Sequence, residues 1–304
     1  MAQDRETTGS PGDWIADKAL RGLIGALRLL PYAGRVRFMG WLMRRVVGPL
    51  AGYRARARGN LAETFPDWPE ARRRTVADAA LDNFGRTVIE NYSGAEMAAR
   101  LAGTTPEGEG LAALAQARAE GRPVIFVTGH FGNYEAPRHL LTARGYDIGA
   151  IYRAMGNTYF NDHYVRTLEQ VSGPVFERGR GTAGFVRHLR GGGMAVILFD
   201  VHDTNGVPVD FLGRPAMTTT SPADLALRYG AVVIPYFGIR RPDGLGFDIR
   251  VEAPIPSGDP VAMMRAMTER LEARIAEHPG QWFWVHRRWK PEKRRRVSAA
   301  PPPQ

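Results

Sequence analysis

The stretch VIFVTGHFGNYEAPRHLL, residues 124–141, holds two side chains suited to proton transfer near neutral pH: His130 and, five places later, Glu135. An imidazole can take a proton from a hydroxyl, and a carboxylate on its other nitrogen holds one tautomer and stabilises the charged ring. That pairing makes a general base. On one continuous helix the offset would turn the two side chains about 140° apart, so a bend between them is required. Gly129 and Gly132 permit the bend, and Asn133 is suited to cap a helix carrying Glu135. A histidine satisfied in a loop fits the same spacing, so spacing alone leaves both readings open.

The elements around this stretch predict an α/β domain. Short β-rich runs at 124–128, 148–152, 195–199, 232–237 and 247–251 alternate with helical patterns at 107–120, 134–144, 160–171, 182–190, 219–229 and 260–277. Buried strands interleaved with helices imply a sheet covered on both faces. Ligands in such sheets bind beyond the carboxyl ends of the strands, and His130 follows one of those ends.

Upstream, residues 13–100 read as a helical region. Leu20, Leu23, Ile24 and Leu27 share one helical face opposite Lys18, Arg21 and Arg28; Met39, Leu42, Met43, Val46 and Leu50 repeat the pattern opposite Arg37, Arg44 and Arg45. Two basic amphipathic helices follow, suited either to core packing or to a membrane surface. Arginines interrupt every apolar run from 14 to 50, so a spanning helix is not expected. Residues 54–100 continue as helix around a turn at 66–69. The polar stretch 1–12 and the tail 291–304 are expected to be a disordered leader and a disordered basic, proline-rich tail around a catalytic region at 101–290.

The charge of the 304-residue chain is strongly positive, 41 Lys+Arg against 31 Asp+Glu, which favours anionic partners. Zero cysteines exclude disulfides, thiol nucleophiles and cysteine-ligated zinc. The N-terminus lacks the basic-then-apolar order of a secretory signal, which places the chain on the cytoplasmic side. No G-x-S-x-G elbow, H-E-x-x-H helix or nucleic-acid motif occurs, so serine hydrolysis, zinc catalysis and nucleic-acid binding are not expected.

The string HFGNYE, His130 to Glu135, resembles the H-x4-D/E motif of glycerolipid acyltransferases, in the form found in the bacterial lipid A biosynthesis lauroyl/myristoyl acyltransferases. Three further segments are similar to blocks of that family: YRAMGN at 152–157 followed by Arg166, DVHDTNGVPVDFLGRPAMTT at 200–219, and QWFWVHRRWK at 281–290. The match covers roughly residues 14–290. Ala154 stands in place of a proline, Leu212 in place of a phenylalanine, and Val201 where the first aspartate of a D-[QH]-D block is expected. In that register Asp203 aligns and Asp200 falls one place early.

The resemblance implies a mixed central sheet flanked by helices, and transfer of an acyl group from acyl carrier protein to a hydroxyl of a phosphorylated, Kdo-bearing lipid A precursor. It places the reaction on the cytoplasmic face of the bacterial inner membrane, with an anionic membrane surface as partner. No cofactor or metal is implied. In this reading His130 is the base, oriented by Glu135, the oxyanion is met by free N–H groups where the helix opens near Asn133, and Arg166 serves the oxyanion or a substrate phosphate. Arg153 and Asn157 are expected to position substrate with Asn133, Asp203 to bind a sugar hydroxyl or support the active-site loop, and Arg287 and Arg288 to meet lipid phosphates or brace the fold. Acylation of another glycolipid, such as a phosphatidylinositol mannoside, is the nearest alternative; a non-enzymatic basic binding protein is the alternative of another class.

Overall fold

The computed structural model describes residues 9–152, 154, 157–170 and 173–290. The tail 291–304 and most of the expected leader lie outside them, as does Arg153.

Helix α1 (Pro11–Arg28) starts inside the expected leader because Ser10 and Asp13 form a reciprocal capping box. Next, α2 (Tyr32–Leu42) passes through a π-helical turn, Met43–Val47, into α3 (Gly48–Leu50). Helices α4 (Tyr53–Thr64) and α5 (Glu70–Asn91) flank the turn at 66–69, and α6 (Gly94–Leu101) and α7 (Gly110–Ala119) lead to the sheet. Within α5, Gly85 is a packing requirement: a Cβ there would stand 2.4 Å from the Met39 carbonyl oxygen, so α2 and α5 meet closely only over a glycine.

The two amphipathic helices divide their apolar residues between two surroundings. Ile24, Leu27, Tyr32, Val36 and Met39 pack with Ile89 and Tyr92. Trp14, Ile15, Leu29, Leu30, Phe38, Trp41 and Leu50 instead face outward, Leu29 and Leu50 more than four-fifths exposed. Among the described residues no helix is long and apolar enough to cross a membrane.

The α/β part then runs β1 (Val124–Thr128), α8 (Ala136–Ala143), β2 (Ile148–Tyr152), α9 (Thr158–Glu169), β3 (Val175–Glu177), α10 (Thr182–Arg190), β4 (Met194–Leu198), β5 (Val207–Phe211), β6 (Arg214–Thr218), α11 (Ser221–Tyr229), β7 (Val232–Arg240), β8 (Phe247–Val251) and α12 (Pro260–Glu277). Six strands form one sheet in the order β3-β2-β4-β1-β7-β8. All neighbours are parallel except β7 and β8, so the sheet is mixed, as expected. β1 is buried along its whole length, which explains its uninterrupted apolar run.

Three strands lie outside the runs that the sequence pattern predicts. β3 is a three-residue, half-buried edge strand, too short to show a period. β5 and β6 form a separate hairpin and each contains a proline, which argues against a strand but is tolerated in a two-stranded ribbon. The hairpin turns on Leu212 and Gly213, both at positive φ (54° and 73°), the geometry of a type I′ turn. Leucine is unusual there, and Leu212 N is held by the Glu272 carboxylate.

One buried ion pair ties the helical region to the sheet. Arg240, at the end of β7, donates from Nη1 and Nη2 to the two Glu90 oxygens (2.5 and 2.7 Å), and its Nε donates to Asn83 Oδ1 (2.7 Å). Asn83, Thr87 and Glu90 lie on one face of α5. The first two donate to the Gly132 carbonyl, and Glu90 accepts from Asn133 Nδ2. Because each polar atom of the pair has partners, its burial is compensated. The outcome is a clamp on the loop after β1.

Candidate active site

Strands β1 and β4 are parallel neighbours with Thr128 opposite Leu198. Two residues beyond each lie His130 and Asp200, so the register sets these side chains next to one another at the carboxyl edge of the sheet. Asp200 Oδ1 lies 2.8 Å from His130 Nδ1, while its Oδ2 accepts from the His130 backbone N–H (2.8 Å) and from Trp282 Nε1 (2.9 Å). Burial by itself would raise the Asp200 carboxyl, but the His130 ring and the hydrogen bonds His130 makes to it hold it well below the usual carboxylate range. An ionised carboxylate only accepts, so Nδ1 carries the proton and Nε2 is left with a lone pair. The ring is about one-quarter exposed, whereas Asp200 is fully enclosed.

The loop holding His130 is fixed on both sides. Gly132 adopts φ 55°, and a Cβ there would meet the Gly238 carbonyl oxygen at 1.9 Å. Gly132 N donates to Gln281 O (3.0 Å), and His130 O accepts from Phe283 N (3.0 Å). The segment QWFWVH thereby lies alongside HFGN as a single antiparallel bridge, Phe131 to Trp282. Asn60 of α4 secures it further by donating to the carbonyls of Trp284 and His286. Tyr134 stands edge-on to the His130 ring at 5.4 Å, its pKa pushed up to about 12 by burial. Ala80, Phe84, Tyr134 and Phe283, together with the polar Asn83, Thr87 and Gln281, line a narrow slot beside His130.

His130, Asp200 and His286 bring ligand atoms within 4.8 Å of one another, close enough to share an ion. Asp200, however, already accepts three hydrogen bonds, two of them from backbone and indole groups that cannot deprotonate. The cluster is built as a hydrogen-bonded dyad beside a second imidazole.

The bacterial lipid A biosynthesis acyltransferase family matches residues 5–291. The chain belongs to this family. Among its relatives, a lipid A biosynthesis acyltransferase of Haemophilus influenzae is 27% identical over 267 residues, covering 85% of this chain and 82% of the relative. The lipid A biosynthesis myristoyltransferase of Escherichia coli is 25% identical over 287 residues, 90% of this chain and 85% of the relative. A phosphatidylinositol mannoside acyltransferase of Mycobacterium tuberculosis is 34% identical, but over 84 residues only, 28% of this chain and 27% of the relative.

In this lipid A acyltransferase fold the motif carboxylate Glu135 takes a different place from the one its spacing suggests. It immediately precedes α8, is buried, and pairs with Arg138 one turn along (3.2 Å), while Arg138 Nε donates to Ile148 O. The carboxylate on His130 is Asp200. Asn133 does cap the turn, accepting from Glu135 N and Ala136 N, and is fully buried. Most of the expected free N–H groups at this helix opening are spent: Phe131, Gly132, Asn133, Glu135 and Ala136 donate within the protein, and among the described residues Tyr134 N has no partner.

The remaining expected site residues are spread apart. Arg166 is exposed on α9, its Nε donating to Asp162 O in its own helix (3.3 Å). Asn157 caps α9 through Phe160 N and donates to Asp13 O, work that occupies both ends of its amide. Asp203 folds the loop before β5, accepting from Asn205 N and pairing with Arg178. Arg287 is exposed. Arg288 is enclosed and donates to Val201 O, Met217 O and Thr218 Oγ1, so it braces the strand end that carries Asp200, the second of the two roles considered for it.

Asp200→Asn is expected to lower kcat about 10³- to 10⁴-fold with little change in KM, because the amide no longer fixes the tautomer of His130. Glu135→Gln is expected to act on stability, at about 3 kcal/mol through loss of the buried carboxylate charge facing Arg138, and to keep turnover of the folded fraction within roughly tenfold. Steady-state kinetics on the purified variants, normalised by the folded fraction from denaturant titration, check both; a larger kcat loss for Glu135→Gln contradicts the assignment.

Proposed function

We propose that this acyltransferase moves a fatty acyl chain from acyl carrier protein to a hydroxyl of a phosphorylated, Kdo-bearing lipid A precursor, with His130 as general base and Asp200 as its positioning residue. The observation that carries the mechanism is the 2.8 Å contact between His130 Nδ1 and the buried Asp200, which leaves Nε2 as the basic atom. The full-length relatives named for lipid A favour this acceptor over a phosphatidylinositol mannoside, where the similarity is confined to 84 residues.

In this reading Nε2 takes the proton of the acceptor hydroxyl as its oxygen bonds to the thioester carbon. The carbonyl π electrons move to oxygen, giving a tetrahedral oxyanion. As they return, the carbon–sulfur bond breaks, and the leaving thiolate takes the proton from His130. Product ester and free thiol are released, and the base is restored. Asp200 stabilises the transient imidazolium. The exposed cations Arg166 and Arg287 serve acceptor phosphates as these approach from outside.

The outward apolar residues of α1 to α3, set among Arg28, Arg37 and Arg45, suit insertion into the headgroup region of an anionic bilayer on the cytoplasmic face. Trp41→Glu combined with Leu29→Glu is expected to abolish flotation with phosphatidylglycerol-containing vesicles while turnover in detergent persists. Retained flotation assigns membrane contact elsewhere.

The reaction itself is tested with purified protein, acyl-acyl carrier protein and radiolabelled tetra-acylated, Kdo-bearing precursor. Wild type should transfer label-shifting acyl groups, and folded His130→Ala should be slower by roughly 10²- to 10⁴-fold. Unchanged transfer by His130→Ala removes the base; transfer only to a different glycolipid removes the acceptor assignment.

A further inference from the structure

Acyl transfer through a tetrahedral intermediate needs a hydrogen-bond donor for the oxyanion, and in this site most of the donors expected at the helix opening are already in use. The loop amides of Phe131, Gly132, Asn133, Glu135 and Ala136 are committed, which leaves the Tyr134 amide without a partner among the described residues. Arg288 is committed to two carbonyls and Thr218. One side chain in contact with the base retains free capacity. The His286 ring lies 4.4 Å from that of His130, edge to face, and 4.8 Å from Phe283. Its Nε2 is buried without any protein partner. A buried polar atom left unpaired is costly, so a site that maintains one beside its base has a use for it.

The backbone around His286 is fixed for such a use. Its N–H donates to Phe283 O (3.1 Å) and its carbonyl accepts from Asn60 (2.9 Å), so the ring is presented from a pinned turn. Burial, and then the His130 charge, push its pKa down to about 3. The ring is therefore neutral at neutral pH, carries one N–H, and does not oppose the imidazolium that forms on His130 during turnover. A neutral imidazole of this kind can polarise a carbonyl without titrating.

We infer that His286 is a catalytic residue that donates the hydrogen bond stabilising the tetrahedral oxyanion formed on the thioester carbonyl. This rests on the acyl-transfer reading above, with His130 as base. The donor moves no proton; it holds the oxygen while the carbon–oxygen bond forms and the carbon–sulfur bond breaks.

The test compares full-length wild type with His286→Leu and His286→Gln in detergent, with acyl-acyl carrier protein and the acceptor, recording kcat, KM and melting temperature. His286→Leu should lose roughly 10²- to 10³-fold in kcat with KM within about threefold, and His286→Gln, which keeps an N–H, should recover at least about tenfold of that loss. The His130 limb of the pH–rate profile should stay in place. Near-wild-type kcat in His286→Leu, a loss confined to KM, or His286→Gln no better than His286→Leu overturns the donor role. If the leucine variant does not fold, His286→Ala is assayed with added imidazole, where saturable recovery of kcat supports the role and no recovery contradicts it. Failure of the base reading is separate, since it would show as full activity in His130→Ala.

Discussion

Everything at the catalytic edge of this acyltransferase turns on one buried carboxylate. Asp200 gathers three donors from two distant parts of the chain: the backbone and ring of His130 after β1, and the Trp282 indole from the C-terminal segment. An enclosed carboxylate is tolerated only when its charge is met in this way. The same bonds that make its burial affordable also set the direction of His130. Arg288 secures the next residue, Val201, from the same C-terminal segment, so the HRR run acts on the site from behind.

A second buried charge gives the loop its shape. The Arg240–Glu90 pair stands between α5 and β7, and its neighbours Asn83, Thr87 and Asn133 hold Gly132 and the turn after it. Gly132 accepts a conformation no other residue would fit against Gly238. The base is thus located by strand register on one side and by a satisfied ionic network on the other. The helical region takes part through α5, so the outward apolar face of α1 to α3 and the base belong to one connected body.

How much of this could be read from residue order depends on how local each contact is. The run Val124–Thr128 ending in Gly-His marks a strand end and places His130 correctly, because both signals lie within a few residues. The partner of His130 is invisible to the same reading, since it depends on β4 lying beside β1, a neighbour seventy positions away. Motif spacing favoured Glu135 and Asp203; the structure puts the first against Arg138 and the second in a surface loop with Arg178. A register count was the missing signal: residues two beyond Thr128 and Leu198 are adjacent once the strands are paired. Similarly, charge alone made Arg288 look like a phosphate contact, and periodicity alone hid Phe38 and Trp41, which face outward from helices that also pack inward.

The claim that Asp200 holds the base is tested most directly on the proton between them. With imidazole-labelled histidine, nitrogen-edited NMR should show a strongly deshielded Nδ1–H for His130 that persists in Glu135→Gln and vanishes in folded Asp200→Ala. A resonance indifferent to Asp200→Ala, or lost in folded Glu135→Gln, would return the base to the motif glutamate and contradict the account.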